Sequence, residues 1–75
     1  MIKVYSTPTC SSCKALKRWL TEKNLPFEDI DLSENADLLD EIIEKSGASS
    51  VPITEIRGYY VVGFNKNEIE ELLND

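Results

Sequence analysis

The run Thr7-Pro8-Thr9-Cys10-Ser11-Ser12-Cys13-Lys14 decides how the rest of the chain is read. It holds the chain's 2 cysteines, three positions apart. With Cys13 on a helix and Cys10 at its first residue, the i,i+3 relation brings the two Cβ atoms to roughly 5–6 Å. From there a small adjustment reaches disulfide geometry. Such a pair between an apolar strand and an amphipathic helix is a signature of thiol–disulfide exchange, although the spacing alone also suits half of a zinc site.

The flanking sequence supplies that strand and that helix. Ile2-Lys3-Val4-Tyr5 alternates as a short strand, and Pro8 stops either a strand or a helix from running straight into the cysteines. From Ser11 to Lys23, the residues Ala15, Leu16, Trp19 and Leu20 recur at helical spacing, while Lys14, Lys17, Arg18 and Glu22 take other faces. Asn24 suits the helix C-terminus and Pro26 ends it. Phe27 to Leu32 mixes apolar with acidic residues as a second strand, and Ser33 offers an N-cap to a second helix. That helix carries Leu38, Leu39, Ile42 and Ile43 on one stripe, with Lys45 near its C-terminal dipole and Gly47 just beyond.

The connections then shorten. Ile53-Thr54-Glu55-Ile56 and Tyr59-Tyr60-Val61-Val62 are separated only by Arg57-Gly58, too little for a crossover, so they form an antiparallel hairpin. Asn65-Lys66-Asn67-Glu68 resembles a capping box with Asn65 as N-cap, and Ile69, Leu72 and Leu73 give the last helix its apolar face. The order is βαβ followed by ββα, an α/β chain without internal repeats.

Composition bounds the function. A chain of 75 residues makes a single domain over residues 1–75, of a size that buries only roughly 60% of its unfolded surface. Its hydrophobic fraction of 41% and charged fraction of 29% are ordinary for a globular protein. No apolar run approaches the roughly 18 residues of a membrane span. Met1 to Tyr5 is too short for a signal-peptide apolar region, so a cytoplasmic location is expected. In a reducing compartment a solitary cysteine pair is catalytic or metal-binding more often than a structural staple. The net charge of −6 is uneven. Residues 1–23 hold five basic side chains against Glu22, whereas residues 24–75 hold three basic and thirteen acidic ones. The positive charge around the cysteines is either a solvated helix face or a field that favours thiolate and steers an acidic partner. An acidic chain without a basic, aromatic-studded stripe excludes nucleic-acid binding.

Three separated motifs now fall in order: Tyr5-Ser6-Thr7-Pro8-Thr9-Cys10-Ser11-Ser12-Cys13 with the following Lys17 and Trp19-Leu20, then Ser50-Val51-Pro52, then Gly63-Phe64. Together they resemble a glutaredoxin-type member of the thioredoxin-fold superfamily, over essentially the whole chain. The resemblance implies a four-stranded mixed sheet flanked by three helices. It also implies a cis peptide between Val51 and Pro52, with that proline facing the cysteines; the X-Pro step alone would read as trans. Val51 would then offer its backbone groups to an extended partner segment.

The chemistry expected of such a site is exchange through thiolate. A cysteine at a helix N-terminus has its anion stabilised by unpaired N–H groups and the dipole, with pKa values of roughly 3.5–7.5 in such settings. Cys10 holds that position and is expected to attack; Cys13, further into the helix, is expected to resolve the mixed disulfide. Lys14 and Lys17 are expected to help hold the charge, and the Ser11 and Ser12 hydroxyls either donate to sulfur or simply start the helix. Pro8, Thr9, Ser11, Ser12, Lys14, Ser50, Val51, Pro52, Gly63 and Phe64 are the expected partner-contacting residues.

The departures from the family pattern bear on the reductant. Glutaredoxins commonly read Cys-Pro-Tyr-Cys and carry a Gly-Gly and acidic pair after the last strand that helps hold glutathione. Here Ser11-Ser12 and Gly63-Phe64-Asn65-Lys66 stand at those sites. Gly63-Phe64 is closer to the NrdH-type redoxins, which take electrons from thioredoxin reductase and feed ribonucleotide reductase. The resemblance thus implies a monomeric carrier without a tightly bound cofactor or metal. It would be reduced from NADPH through thioredoxin reductase, or by glutathione, and would act on disulfide-bearing proteins. Phe64 reads first as a partly buried aromatic beside the final helix, ahead of a docking residue. An iron–sulfur cluster shared across a dimer is the alternative, since two cysteines and no histidine cannot complete a site within one chain. A binding module that has lost exchange is a third reading, against which intact Cys10, Cys13 and Pro52 count.

Overall fold

The computed structural model describes residues 2–74. Its elements are β1 (Ile2–Ser6), α1 (Ser11–Glu22), β2 (Phe27–Asp31), a 3-10 turn (Leu32–Glu34), α2 (Ala36–Ser46), β3 (Ile53–Ile56), β4 (Tyr59–Val62) and α3 (Lys66–Leu73). The sheet runs β2-β1-β3-β4. β1 and β2 are parallel, with Val4 opposite Asp29, while β1–β3 and β3–β4 are antiparallel, with Thr54 lying between Val4 and Val61. This is the mixed four-stranded sheet with three helices, the thioredoxin fold.

Alternation along the strands divides the core in two. Ile2, Val4, Ile56 and Val61 face Leu16 and Leu20 of α1 and Ile69 of α3. Tyr5 and Ile53 face the other way, onto Ile42 of α2, Leu32 and Ala48. The β3–β4 hairpin closes through Arg57 and Gly58 at φ 51° and 84°, a turn of the primed kind that matches strand twist. The Arg57 guanidinium donates to the Leu72 carbonyl, tying the hairpin to the end of α3.

Three local expectations shift. Ser33 does not cap α2, because its N–H and hydroxyl both donate to the Asp31 carboxylate, at 2.9 and 2.6 Å, and fold the chain into the 3-10 turn. Those two bonds hold the Asp31 carboxyl below its usual range. The cap is Asn35, whose Oδ1 accepts the Leu38 N–H at 3.1 Å. Leu32, expected at the end of β2, is instead buried in the turn as part of the α2-side core. Ala15 is exposed, because the buried stripe of α1 runs through Cys13, Leu16 and Leu20. Elsewhere the reading stands: Asn24 takes a left-handed φ of 58° just past α1, and Gly47 does so at 74° as the C-cap of α2.

Candidate active site

The site lies where β1 hands the chain to α1. The Thr7–Thr9 turn is fastened by the Cys10 N–H donating to the Thr7 carbonyl at 3.3 Å. This sets Cys10 in an extended conformation as the N-cap of α1, one position before the first helical residue. Its sulfur accepts the Cys13 N–H at 3.1 Å, where a capping oxygen usually sits. Both cysteines are free thiols, Cys10 half-buried and Cys13 fully buried.

Burial acts on Cys13 directly. Its thiol is pushed up to about 11, first by loss of water and next by its hydrogen bond with Cys10; the Thr7 backbone amide and the Lys17 ammonium pull the other way. Of the two sulfurs, therefore, one meets solvent at a helix N-terminus and the other lies protonated beneath it.

The loop before β3 completes the site. The Val51–Pro52 peptide is cis, and the Val51 carbonyl lies 3.9 Å from the Cys10 sulfur. Pro52 itself is buried, and its carbonyl accepts the Gly63 N–H at 2.8 Å, which ties the loop after β4 to the loop before β3. Gly63 has a φ of 78°. Next to it, Phe64 meets Trp19 edge-on at 6.0 Å between ring centroids, under the Lys66 ammonium. Phe64 is thus a half-buried brace between α1 and the start of α3.

Of the expected site residues, the fold brings Cys10, Cys13, Val51, Pro52 and Gly63 together, with Phe64 adjoining. Pro8, Thr9, Ser11, Ser12, Lys14 and Ser50 are exposed around them. Among the described residues, no Ser11 or Ser12 hydroxyl bonds to sulfur; the Cys13 N–H fills that role. Lys17 is engaged elsewhere than at Cys10. Its ammonium lies 3.0 Å from the Asp29 carboxylate and 3.5 Å from the Ser6 hydroxyl, which itself donates to Asp29 at 3.0 Å. Ser6 and Asp29 were not among the expected site residues, and their one signal in the sequence is polarity: a Ser closing an apolar strand and an acid beside Glu28 in β2.

No group of three or more His, Cys, Asp or Glu among the described residues could hold a metal ion. No helix among them is long and apolar enough to cross a membrane.

Comparison with known proteins agrees with this geometry. A family model described as Glutaredoxin matches residues 2–61. The chain is 44% identical, over 97% of both chains, to an uncharacterized glutaredoxin-like 8.6 kDa protein in the rubredoxin operon of Clostridium pasteurianum. It is 42% identical to an N-acetyl-S-hydroxy-L-cysteine reductase of Bacillus subtilis, over 95% of this chain and 77% of that one. It is 31% identical to the glutaredoxin-like protein NrdH of Lactococcus lactis, over 96% and 99%. Among solved structures, the thioredoxin-like protein BC3987 superposes with a TM-score of 0.85 at 28% identity, over 96% of this chain and 99% of that one. With a cysteine capping a helix beside a second, buried cysteine and a cis-proline loop, this chain belongs to the glutaredoxin family of thiol–disulfide oxidoreductases.

Proposed function

We propose that the chain is a small dithiol electron donor of the NrdH-redoxin type, in which Cys10 attacks a partner disulfide and Cys13 resolves the intermediate. The observation that carries this reading is the half-exposed Cys10 sulfur, held by the Cys13 N–H at 3.1 Å and flanked by the Val51 carbonyl at 3.9 Å. The Cys10 thiolate attacks one partner sulfur and expels the other. Cys13 then loses its proton, bonds to the Cys10 sulfur, and releases the second partner thiolate. Two electrons pass to the partner, whose thiolates take up protons, and the Cys10–Cys13 disulfide remains.

Thioredoxin reductase with NADPH is the proposed source of electrons, and disulfide-bearing proteins, ribonucleotide reductase among them, are the proposed recipients. Support comes from the NrdH relatives and from the loop after β4, where Gly63-Phe64-Asn65-Lys66 stands in place of the Gly-Gly and acidic pair common in glutaredoxins. The deciding experiment compares turnover of a disulfide substrate under NADPH with thioredoxin reductase against glutathione with glutathione reductase. Turnover under the first supports the reading, and turnover confined to glutathione replaces it with a glutathione-dependent glutaredoxin. Visible absorbance of anaerobically purified protein would instead point to the cluster carrier.

A second reading rests on the 42% identical relative named N-acetyl-S-hydroxy-L-cysteine reductase. The same thiolate could attack the sulfur of a small S-hydroxy thiol, expel hydroxide, and leave a mixed disulfide for Cys13 to resolve. Faster turnover on small S-hydroxy thiols than on protein disulfides would favour it.

A further inference from the structure

Lys17 lies one helical turn beyond Cys13 on α1, at the i,i+4 spacing that makes side chains neighbours. Its side chain is only 25% exposed and is fixed from two strands. Asp29 of β2 takes its ammonium at 3.0 Å, and Ser6, buried at the end of β1, lies at 3.5 Å while bonding the other Asp29 oxygen. A lysine on a solvated helix face would sweep through many rotamers; this one is held in a closed three-residue ring. Ser6 also adjoins Thr7, whose backbone amide pulls the Cys13 thiol down.

We infer that the Ser6–Asp29 pair holds Lys17 as a positioning charge for Cys13, so that the resolving sulfur is more readily ionised when it must attack the mixed disulfide. This rests on the exchange reading above. Cys13 sits without water contact, where its anion is costly, and a cation one turn away on the same helix offsets part of that cost. The pull of Lys17 on the Cys13 thiol runs in this direction, more weakly than that of the Thr7 backbone amide. The ionisable groups facing the pair are Cys10 at the N-cap and Asp29 and Asp31 on β2. Asp31 is partly committed to Ser33, through two short bonds. The step itself is unchanged: the Cys13 thiol loses its proton, its sulfur bonds to the Cys10 sulfur as the Cys10–partner S–S bond breaks, and the departing partner thiolate takes up a proton.

The test uses the full chain, reduced, mixed in stopped flow with an aromatic disulfide whose released thiolate absorbs in the visible. A first release reports attack by Cys10 and a second reports resolution by Cys13. In Lys17→Gln the second release should slow by about three- to tenfold at neutral pH, and its pH–rate profile should move to higher pH by up to about one unit, tenfold in rate being one unit. Lys17→Arg, which keeps the charge and the carboxylate partner, should recover most of the rate. Equal slowing of both releases, or an unmoved profile in Lys17→Gln, overturns the role of Lys17 and leaves the exchange reading intact. Absence of any second release in the unmodified chain overturns the exchange reading itself, and this inference with it.

Discussion

The Cys10 sulfur accepts the backbone N–H of Cys13 at 3.1 Å, so the group proposed as the nucleophile is also the N-cap of α1. Stability and reactivity therefore share one atom, and substitution separates them. Cys10→Ser keeps a capping atom and Cys10→Ala does not. Cys10→Ala should cost about 1 kcal/mol, seen as a lower Tm, while Cys10→Ser should stay closer to the parent. Both should lose disulfide reduction entirely. A Cys10→Ala variant as stable as Cys10→Ser would show that the sulfur does not cap the helix.

Cys13 gives the site a pH signature. Burial pushes its thiol up to about 11, against roughly 8.5 in an unfolded chain. A raised acid binds its proton more tightly in the folded state, so its contribution to stability is intact below about 8.5 and is lost as pH climbs toward 11. Reduced protein should accordingly lose about 3 kcal/mol across that alkaline window, beyond whatever Cys13→Ala loses over the same range. Denaturant melts of both proteins at neutral and alkaline pH measure the difference. If the two curves run parallel, burial does not hold the Cys13 proton. The same Cys13→Ala variant should accumulate a mixed disulfide at Cys10, visible by mass.

Much of this was legible in the residues because local and global signals agree. Strand alternation, the Arg57-Gly58 turn, Gly47 and the Asn65 cap each fix an element without help from distant contacts, and the Cys10–Cys13 spacing marks the site. What the sequence concealed depends on competition or on packing. Ser33 and Asn35 are equally good caps on paper, and Asp31 decides between them by claiming both donors of Ser33. The Ser6–Asp29–Lys17 ring is made by the parallel pairing of β1 with β2 and the way α1 lies over them, a tertiary relation with no local motif. Ala15 and Cys13 illustrate the same limit: helical periodicity finds a stripe, but its exact rotation follows from what the sheet offers.

Asn65 links stability to the site. Its Oδ1 accepts the Glu68 N–H at 3.3 Å and its Nδ2 donates to the Glu68 carboxylate at 3.1 Å, while its own N–H bonds the Gly63 carbonyl at 3.1 Å. The expected reciprocal box is thus half formed, with Glu68 meeting the Asn65 side chain instead of its backbone. α3 has only 8 residues, so it leans on this cap and on buried Ile69. Asn65→Ala should cost about 1 kcal/mol, or about 4–8 °C in Tm for a domain of this size. Because Asn65 also orders the Gly63–Phe64 loop, exchange with a protein disulfide should slow more than exchange with a small aromatic disulfide. Equal slowing of both would separate the loop from partner docking.

Thr54 tests the core on the opposite principle, since one of its atoms is a liability. It is fully buried between Val4 and Val61, and its hydroxyl has no hydrogen-bond partner among the described residues. A buried hydroxyl left unpaired costs about 1–3 kcal/mol relative to one that is satisfied. Valine has nearly the same shape, fits the apolar neighbours on both adjacent strands, and favours a strand backbone. Thr54→Val should therefore stabilise the protein by about 1 kcal/mol, raising Tm without altering the denaturant m-value or the rate of Cys10 attack. A loss of stability instead would mean that the hydroxyl is bonded in solution, most simply to a buried water, and a high-resolution crystal structure would then have to contain it.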